Sequence, residues 1–288
     1  MTPFDLVEPP SLGEALKLLE PDDSAVRPLA GGTALMLLMK SGFFRPKRLV
    51  SLRAAGERLA RIRIEPNGEL RIGAMVRLAA LEWAPEVRRD FPVIGHTLRT
   101  LANVRVRNVA TLGGHLAHAD PHSDLPPVLI ALGACLVLAG PRGERAVPVE
   151  GFATGHYETV CKGDELIVEA TIPPLGRRRA AYAKCTTRSA DDWPALGIAV
   201  AWDDDGAIRS PRIVLGAATE RPTRLKAAEA LIAGRTLDGA LLTRAGEAAA
   251  EEADVVADAR GSVSYKKQLV KVYVARALRA AGAGPAAP

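Results

Sequence analysis

Two separated segments hold the residues best suited to gripping a ligand. The first is Leu29-Ala30-Gly31-Gly32-Thr33-Ala34-Leu35. The second is Thr111-Leu112-Gly113-Gly114-His115, running on to Asp120-Pro121-His122-Ser123-Asp124-Leu125-Pro126-Pro127. Glycine turns permit positive φ and a close approach of backbone to ligand. Consecutive amides form an anion nest, and a helix that follows adds its positive end. Each segment can therefore set bare amides and a threonine hydroxyl beside a phosphate, and together they predict a diphosphate held from two sides.

The usual nucleotide signatures are absent. No Gly-x-Gly-x-x-Gly leads into a helix, and no Gly-Lys-Ser/Thr occurs. No local motif marks a Ser/His/Asp triad. Asp203-Asp204-Asp205-Gly206 lacks the spacing of a calcium loop and reads as a polar turn. Cys135, Cys161 and Cys185 are widely spaced and form no Cys-x-x-Cys, which argues against an iron–sulfur cluster or zinc knuckle here and suits a reducing compartment.

The elements that position these segments follow from pattern. Ser11, with Glu14 three positions on, has capping-box spacing for a helix over 11–19. A strand over 27–30 feeds the first glycine turn, a helix over 33–40 leaves it, and Leu49-Val50 is extended. Residues 61–64 and 70–72 flank Pro66-Asn67-Gly68 as a hairpin. Helices are expected over 78–83 and 91–101, with Pro85 and Pro92 as punctuation, and over 125–132, ended by Gly133. Strands follow over 134–139 and 166–172. Pro173-Pro174-Leu175-Gly176-Arg177-Arg178-Arg179 is the expected domain boundary. Beyond it lie strands over 180–184, 196–202 and 211–215, then helices over 223–231, 237–253 and 265–280, and a frayed Ala/Gly/Pro tail.

Composition sets the class. Hydrophobic residues make up 48% and charged residues 25% of 288 positions, which argues against wholesale disorder. The net charge is +5, but basic side chains are interleaved with acids and aromatics are only 4%, so no nucleic-acid groove is expected. No basic–apolar leader and no membrane-length apolar run is expected to act in the chain.

Four ordered blocks carry a family resemblance: Pro28-Leu29-Ala30-Gly31-Gly32-Thr33 with Leu37-Leu38-Met39-Lys40; Arg107 to Gly114 through Ala117 and Asp124-Leu125-Pro126-Pro127; Lys184, Arg188 and Asp192; and Asp258-Ala259-Arg260-Gly261-Ser262 with Tyr265-Lys266-Lys267. In them the chain resembles the FAD-binding medium subunit of the molybdenum hydroxylases, the family of carbon monoxide dehydrogenase and xanthine dehydrogenase. The resemblance covers almost the entire chain. It implies an α+β protein: an FAD-binding fold of the vanillyl-alcohol-oxidase type over 1–175, with two subdomains at about 1–55 and 56–175. A C-terminal α+β domain like the carbon monoxide dehydrogenase flavoprotein tail would occupy 176–288.

The same resemblance implies site residues. Leu29, Ala30, Gly31, Gly32, Thr33, Ala34 and Leu35 would lie along FAD, although Ala34 stands where relatives often have an acid. Thr111, Gly113, Gly114 and His115 would form the second wall, His115 replacing a usual asparagine or serine. Asp120 and Asp124 would accept from cofactor hydroxyls or the adenine amino group, or else cap the helix near Leu125. Ile167 would present its backbone to the flavin edge. Lys184 would place positive charge near the flavin N1–C2=O side or the phosphates, the other reading being a solvated strand lysine. Trp193 would stack on the isoalloxazine, or else serve as a core residue of the small domain. Arg188 is expected to organise its loop through a carboxylate. His115, His118 and His122 lie close together, and metal ligation is the rival reading for that trio.

The implied function is electron transfer, with no acid, base, nucleophile or metal on this chain. A large molybdopterin-binding subunit and a small subunit with two two-iron, two-sulfur clusters would be partners in a dimer of heterotrimers, passing electrons to FAD and on to an external acceptor. The rivals are a free-standing FAD oxidoreductase and a cofactor-free assembly or binding protein. A cytoplasmic place is expected, with association to the inner membrane face as a variant.

Overall fold

The computed structural model describes residues 2–283. The first glycine segment belongs to a small parallel sheet. Its elements are β1 (Asp5–Val7), α1 (Leu12–Lys17), β2 (Val26–Leu29), α2 (Leu35–Lys40) and β3 (Arg48–Ser51). The central β3 pairs in parallel with both β1 and β2. Ser11 caps α1 by accepting from the Glu14 amide at 3.2 Å, the bond its spacing predicted. Residues 30–34 therefore sit past the carboxyl end of β2, between strand and helix.

A second body follows. It comprises β4 (Ile62–Ile64), β5 (Leu70–Gly73), α3 (Leu78–Trp83), α4 (Pro85–Asp90), α5 (Pro92–Arg99), α6 (Val104–Arg107), α7 (Leu112–His118), α8 (Leu125–Leu132), β6 (Cys135–Gly140), β7 (Gly143–Pro148), the ribbon β8 (Ala153–Gly155) with β9 (Glu158–Thr159), and β10 (Leu166–Ile172). The sheet is antiparallel in the order β4-β5-β10-β6-β7. One large core includes Leu70, Ile72, Leu81, Ile94, Leu129 and Leu136. A smaller one joins Ala15, Val26 and Val50 of the first body to Ala139, Leu166 and Val168 of this sheet.

The third body is the antiparallel sheet β11 (Arg178–Cys185), β12 (Leu196–Asp204), β13 (Ile208–Gly216) and β14 (Thr223–Arg224), with α9 (Lys226–Ile232), α10 (Gly239–Glu252) and α11 (Val263–Gly282). Residues of β12 alternate between cores. Ala199 and Ala201 join the large core, while Ile198, Val200 and Trp202 pack with the C-terminal helices. A strand buried on both faces explains the unbroken apolar run there.

Several expectations need correction. Phe91 does not continue a helix to Leu101; instead Pro85 and Pro92 occupy the first turns of α4 and α5, where a missing N–H costs nothing. Thr223 and Arg224 form an edge strand before α9 begins. The strand β7 and the parallel β1 were not anticipated, since β7 is almost wholly exposed and β1 is only three residues long. Gly113 and Gly114 lie in the first turn of α7 and not in a turn. The expected frayed tail falls mostly at 284–288, outside the described residues. No helix among the described residues is long and apolar enough to cross a membrane.

Candidate functional site

The two glycine segments meet. A methyl added to Gly31 would run into the carbonyl oxygen of Val109 and lie 2.9 Å from the Ala110 Cα. One added to Gly114 would lie 3.4 Å from the Ala30 Cβ. The first is a close approach of backbones far apart in sequence that only glycine permits; the second is ordinary van der Waals contact with a side chain. Gly32 has φ +69°, so here the requirement is conformational. Gly113 serves a third role: a methyl there would come within 2.6 Å of the Ala74 Cβ, and its amide donates to the Ala74 carbonyl at 2.8 Å. It seats α7 on the loop after β5.

Donors are exposed at this seam. The N-cap of α2 is Ala34, which supplies no side-chain bond; the Met36 amide donates to the Gly32 carbonyl at 2.9 Å and the Leu37 amide to the Ala34 carbonyl at 3.0 Å, so the amides left to offer are those from Gly31 to Leu35. Residues Leu29 to Leu35 are all partly accessible. Thr111 caps α7 by accepting from the Gly114 amide at 3.2 Å, and its own hydroxyl proton remains to be donated. His115, one turn into α7, has a buried Nε2 without a partner. Burial, assisted by the nearby charge of His118, lowers its pKa to about 4, so the ring is neutral near pH 7. A buried polar atom without a partner is the kind of group a polar ligand satisfies.

The histidines do not converge. His118 packs against Tyr157, with ring centroids 4.9 Å apart. His122 lies between two carboxylates: its Nδ1 is 3.2 Å from Asp120 and its Nε2 is 3.1 Å from Asp258. No three His, Cys, Asp or Glu side chains among the described residues are arranged to hold a metal ion. The metal reading of the trio has no geometry to support it.

Asp120 is buried and also accepts from the His122 amide at 2.8 Å. Burial pushes its carboxyl up, but the bonds from His122 override this and leave it below the ordinary value. Asp124 does not cap α8 with its side chain. It is buried instead, accepting from the Tyr182 hydroxyl at 2.6 Å and from Lys184 at 3.0 Å. Burial raises its carboxyl above the usual range, against the pull of Lys184 and Tyr182. Lys184 also donates to the Thr100 carbonyl at 2.7 Å, and its side chain is only 7% exposed. The solvated-lysine reading is therefore wrong: Lys184 joins β11 to α8 through a buried ion pair.

Ile167 is buried in the large core, beside a register shift between Ile167 and Glu169 where β10 meets β6. Trp193 is 52% exposed, which rules out the core reading. Its ring stacks on His122, with centroids 5.9 Å apart and planes 11° apart, and Arg260 lies 5.6 Å from its centroid. Arg188 donates to Asp192 at 2.8 and 3.2 Å, the loop-organising role its position suggested. Sequence reasoning named Tyr182 only within a strand and left the acid Asp258 without a role. The one signal for Tyr182 is Gly197 on the neighbouring strand, where a methyl would lie 2.8 Å from the Tyr182 Cζ. A separate cleft lined by Asp90, Arg177, Arg179 and Asp204 shares none of these residues.

Two families of known proteins match nearly the whole chain between them. Residues 2–175 match the FAD binding domain in molybdopterin dehydrogenase, and residues 180–281 match the CO dehydrogenase flavoprotein C-terminal domain. The carbon monoxide dehydrogenase medium chain of Hydrogenophaga pseudoflava is 33% identical, with 97% of each chain covered. The glyceraldehyde dehydrogenase medium chain of Sulfolobus acidocaldarius is 31% identical over 96% of this chain and 97% of that one. Among solved structures, the Hydrogenophaga pseudoflava carbon monoxide dehydrogenase superposes with a TM-score of 0.93 at 35% identity, covering 99% of this chain and 100% of that one. Quinoline 2-oxidoreductase from Pseudomonas putida 86 gives 0.91 at 30%, covering 98% of each. The expected mixed α+β architecture, an FAD-binding domain followed by a flavoprotein C-terminal domain, is the one observed.

Proposed function

The chain belongs to the FAD-binding medium-subunit family of the molybdenum hydroxylases, and from this premise we propose that it is the electron-transfer subunit of such a complex. The observation that carries this reading is the close approach of Gly31 to Val109 and Ala110, which brings the first glycine segment against the residues that lead into α7, the helix that carries the unpartnered Nε2 of His115.

The residues present fit FAD. Gly31, Gly32 and the uncapped start of α2 would take the diphosphate through backbone donors, with no lysine needed. Leu29, Ala30, Thr33, Ala34 and Leu35 would line the same strand-to-helix passage. Thr111, Gly113, Gly114 and His115 would hold it from the other side. Neutral His115 would donate or accept through its free Nε2 without adding charge. Asp120 and Ile167 would border the cofactor. Trp193, half exposed on its loop, would cover one face of the ring system. Lys184 and Asp124 would act from beneath, as a buried pair that fixes the wall. When bound, FAD supplies a carrier able to take electrons singly and release them singly or in pairs.

The remaining assignments extend this reading. A large subunit would carry the molybdopterin cofactor and a small one two two-iron, two-sulfur clusters, in a dimer of heterotrimers that delivers electrons to an external acceptor in the cytoplasm or at the inner membrane face. Domain limits at about 175 and, within the first part, at about 55 complete the proposal. The test is native mass measurement and a visible spectrum of the complex from its own cells. Co-purifying large and small chains with oxidised-flavin bands are expected. A flavin-bearing single chain that turns over a donor by itself would favour a free-standing oxidoreductase, and a stable colourless chain a binding protein.

A further inference from the structure

His122 offers both ring nitrogens to carboxylates: Nδ1 to Asp120 at 3.2 Å and Nε2 to Asp258 at 3.1 Å. Only the imidazolium donates from both nitrogens at once. Asp258 is itself held in place. It accepts from the Arg260 amide at 2.8 Å and pairs with Lys266 at 2.9 Å, a lysine whose side chain is 1% exposed. Asp120 is buried at the end of the segment that begins with α7. The ring of His122 is thus fixed from two domains, and its plane cannot turn without losing one of the two bonds.

Trp193 is the residue stacked on that plane. Its centroid lies 5.9 Å away at 11°, within the range of offset stacking. Its loop has few other ties. The Trp193 amide donates to Asp192, whose carboxylate is paired with exposed Arg188 and whose amide donates to the Ser189 carbonyl at 3.2 Å. Arg260 lies over the indole and reaches His122 Nε2 at 3.5 Å. We propose that His122 is a positioning residue that sets the plane of Trp193, and through it the covering of the cofactor face. The last clause rests on the flavin-facing reading of Trp193 above; the first does not.

The charged groups facing His122 are Asp120 from its own segment and Asp258 and Arg260 from the C-terminal signature. Lys266 stands behind Asp258, and Asp192 and Arg188 flank Trp193. The bond to Asp120, assisted by Asp258, outweighs burial and the repulsion of Arg260, and raises the ring's pKa above its ordinary value. The imidazolium and the clamp are therefore complete at low pH and are lost as pH rises through that value.

The test uses amide hydrogen exchange of the peptide spanning 188–195 in the full purified complex, corrected for intrinsic pH dependence, with a peptide from α8 as the folding control. Wild type should show protection that falls with rising pH. His122→Phe keeps a ring but neither bond, and His122→Ala keeps neither. Both should exchange about tenfold faster at low pH and lose the pH dependence, with the control unchanged. Unaltered protection and an unaltered pH profile in both variants would overturn the positioning role. Visible circular dichroism of bound flavin separates the two clauses. A changed loop with a changed flavin signal supports both. A changed loop with an unchanged flavin signal supports the clamp and overturns the covering of the cofactor.

Discussion

Gly31 lies so close to Val109 that no side chain fits between them. This contact joins the strand-to-helix passage between β2 and α2 to the link between α6 and α7, and the proposed diphosphate site lies beside it. Replacing Gly31 with alanine should force the two backbones apart, since a carbonyl cannot yield as a flexible side chain can. The expected loss is about 1–3 kcal/mol of stability, with a clear fall in bound flavin. Gly32→Ala tests a different cause, the positive φ, at a cost of about 1 kcal/mol. Flavin-to-protein ratio and thermal unfolding check both; full flavin content in folded Gly31→Ala would remove the seam from the site.

His115 predicts an acid limb of stability. Its folded pKa of about 4 lies below the ordinary 6.5. The unfolded chain therefore binds the proton first, and the stability gained from a neutral ring is present above about pH 6.5 and lost as pH falls through about 4. The full span is worth roughly 3 kcal/mol. Denaturant unfolding from pH 7 to 4 should show this slope, and His115→Asn should flatten it. The same variant should weaken flavin retention at pH 7.

Lys184 and Asp124 form a buried pair, so removing one partner should cost more than removing both. Lys184→Met leaves a carboxylate facing Tyr182 alone, with an expected loss of about 3–5 kcal/mol. The double variant Lys184→Met with Asp124→Leu should recover a large part of it. Chemical unfolding of the three proteins gives the coupling energy. Additive losses would mean that the two side chains act independently.

Trp193→Ala should leave stability within about 0.5 kcal/mol of wild type, as expected for a half-exposed side chain. The flavin spectrum, its reduction rate or its accessibility to acceptor should change, while molybdenum and iron–sulfur content in the assembled complex stays constant. If all three flavin properties match wild type, Trp193 does not face the cofactor.

Part of this site could be read directly from residue order. Gly31-Gly32 and Gly113-Gly114 are legible because a glycine's backbone requirement is local, although a glycine pair beside threonine also suits a plain strand–turn–helix connection. Ser11 and Gly133 likewise announced their elements, because a side-chain cap and a left-handed glycine at a helix end act within a few residues. The family resemblance rested on the same short blocks.

Tertiary structure decided what those residues do. Sequence alone made Gly113 a turn residue, whereas packing against Ala74 makes it a helix seat. Lys184 could be solvated or cofactor-facing in a strand; only the approach of α8 to β11 showed that Asp124 and Tyr182 enclose it. His122 looked like one of three clustered histidines until folding brought Asp258 from the far end of the chain to its Nε2. Local propensity depends on a residue and its neighbours, so it is written in order along the chain. Burial, ion pairing and ring stacking depend on groups that only the packed cores bring within a few ångströms, so their roles appear only in three dimensions.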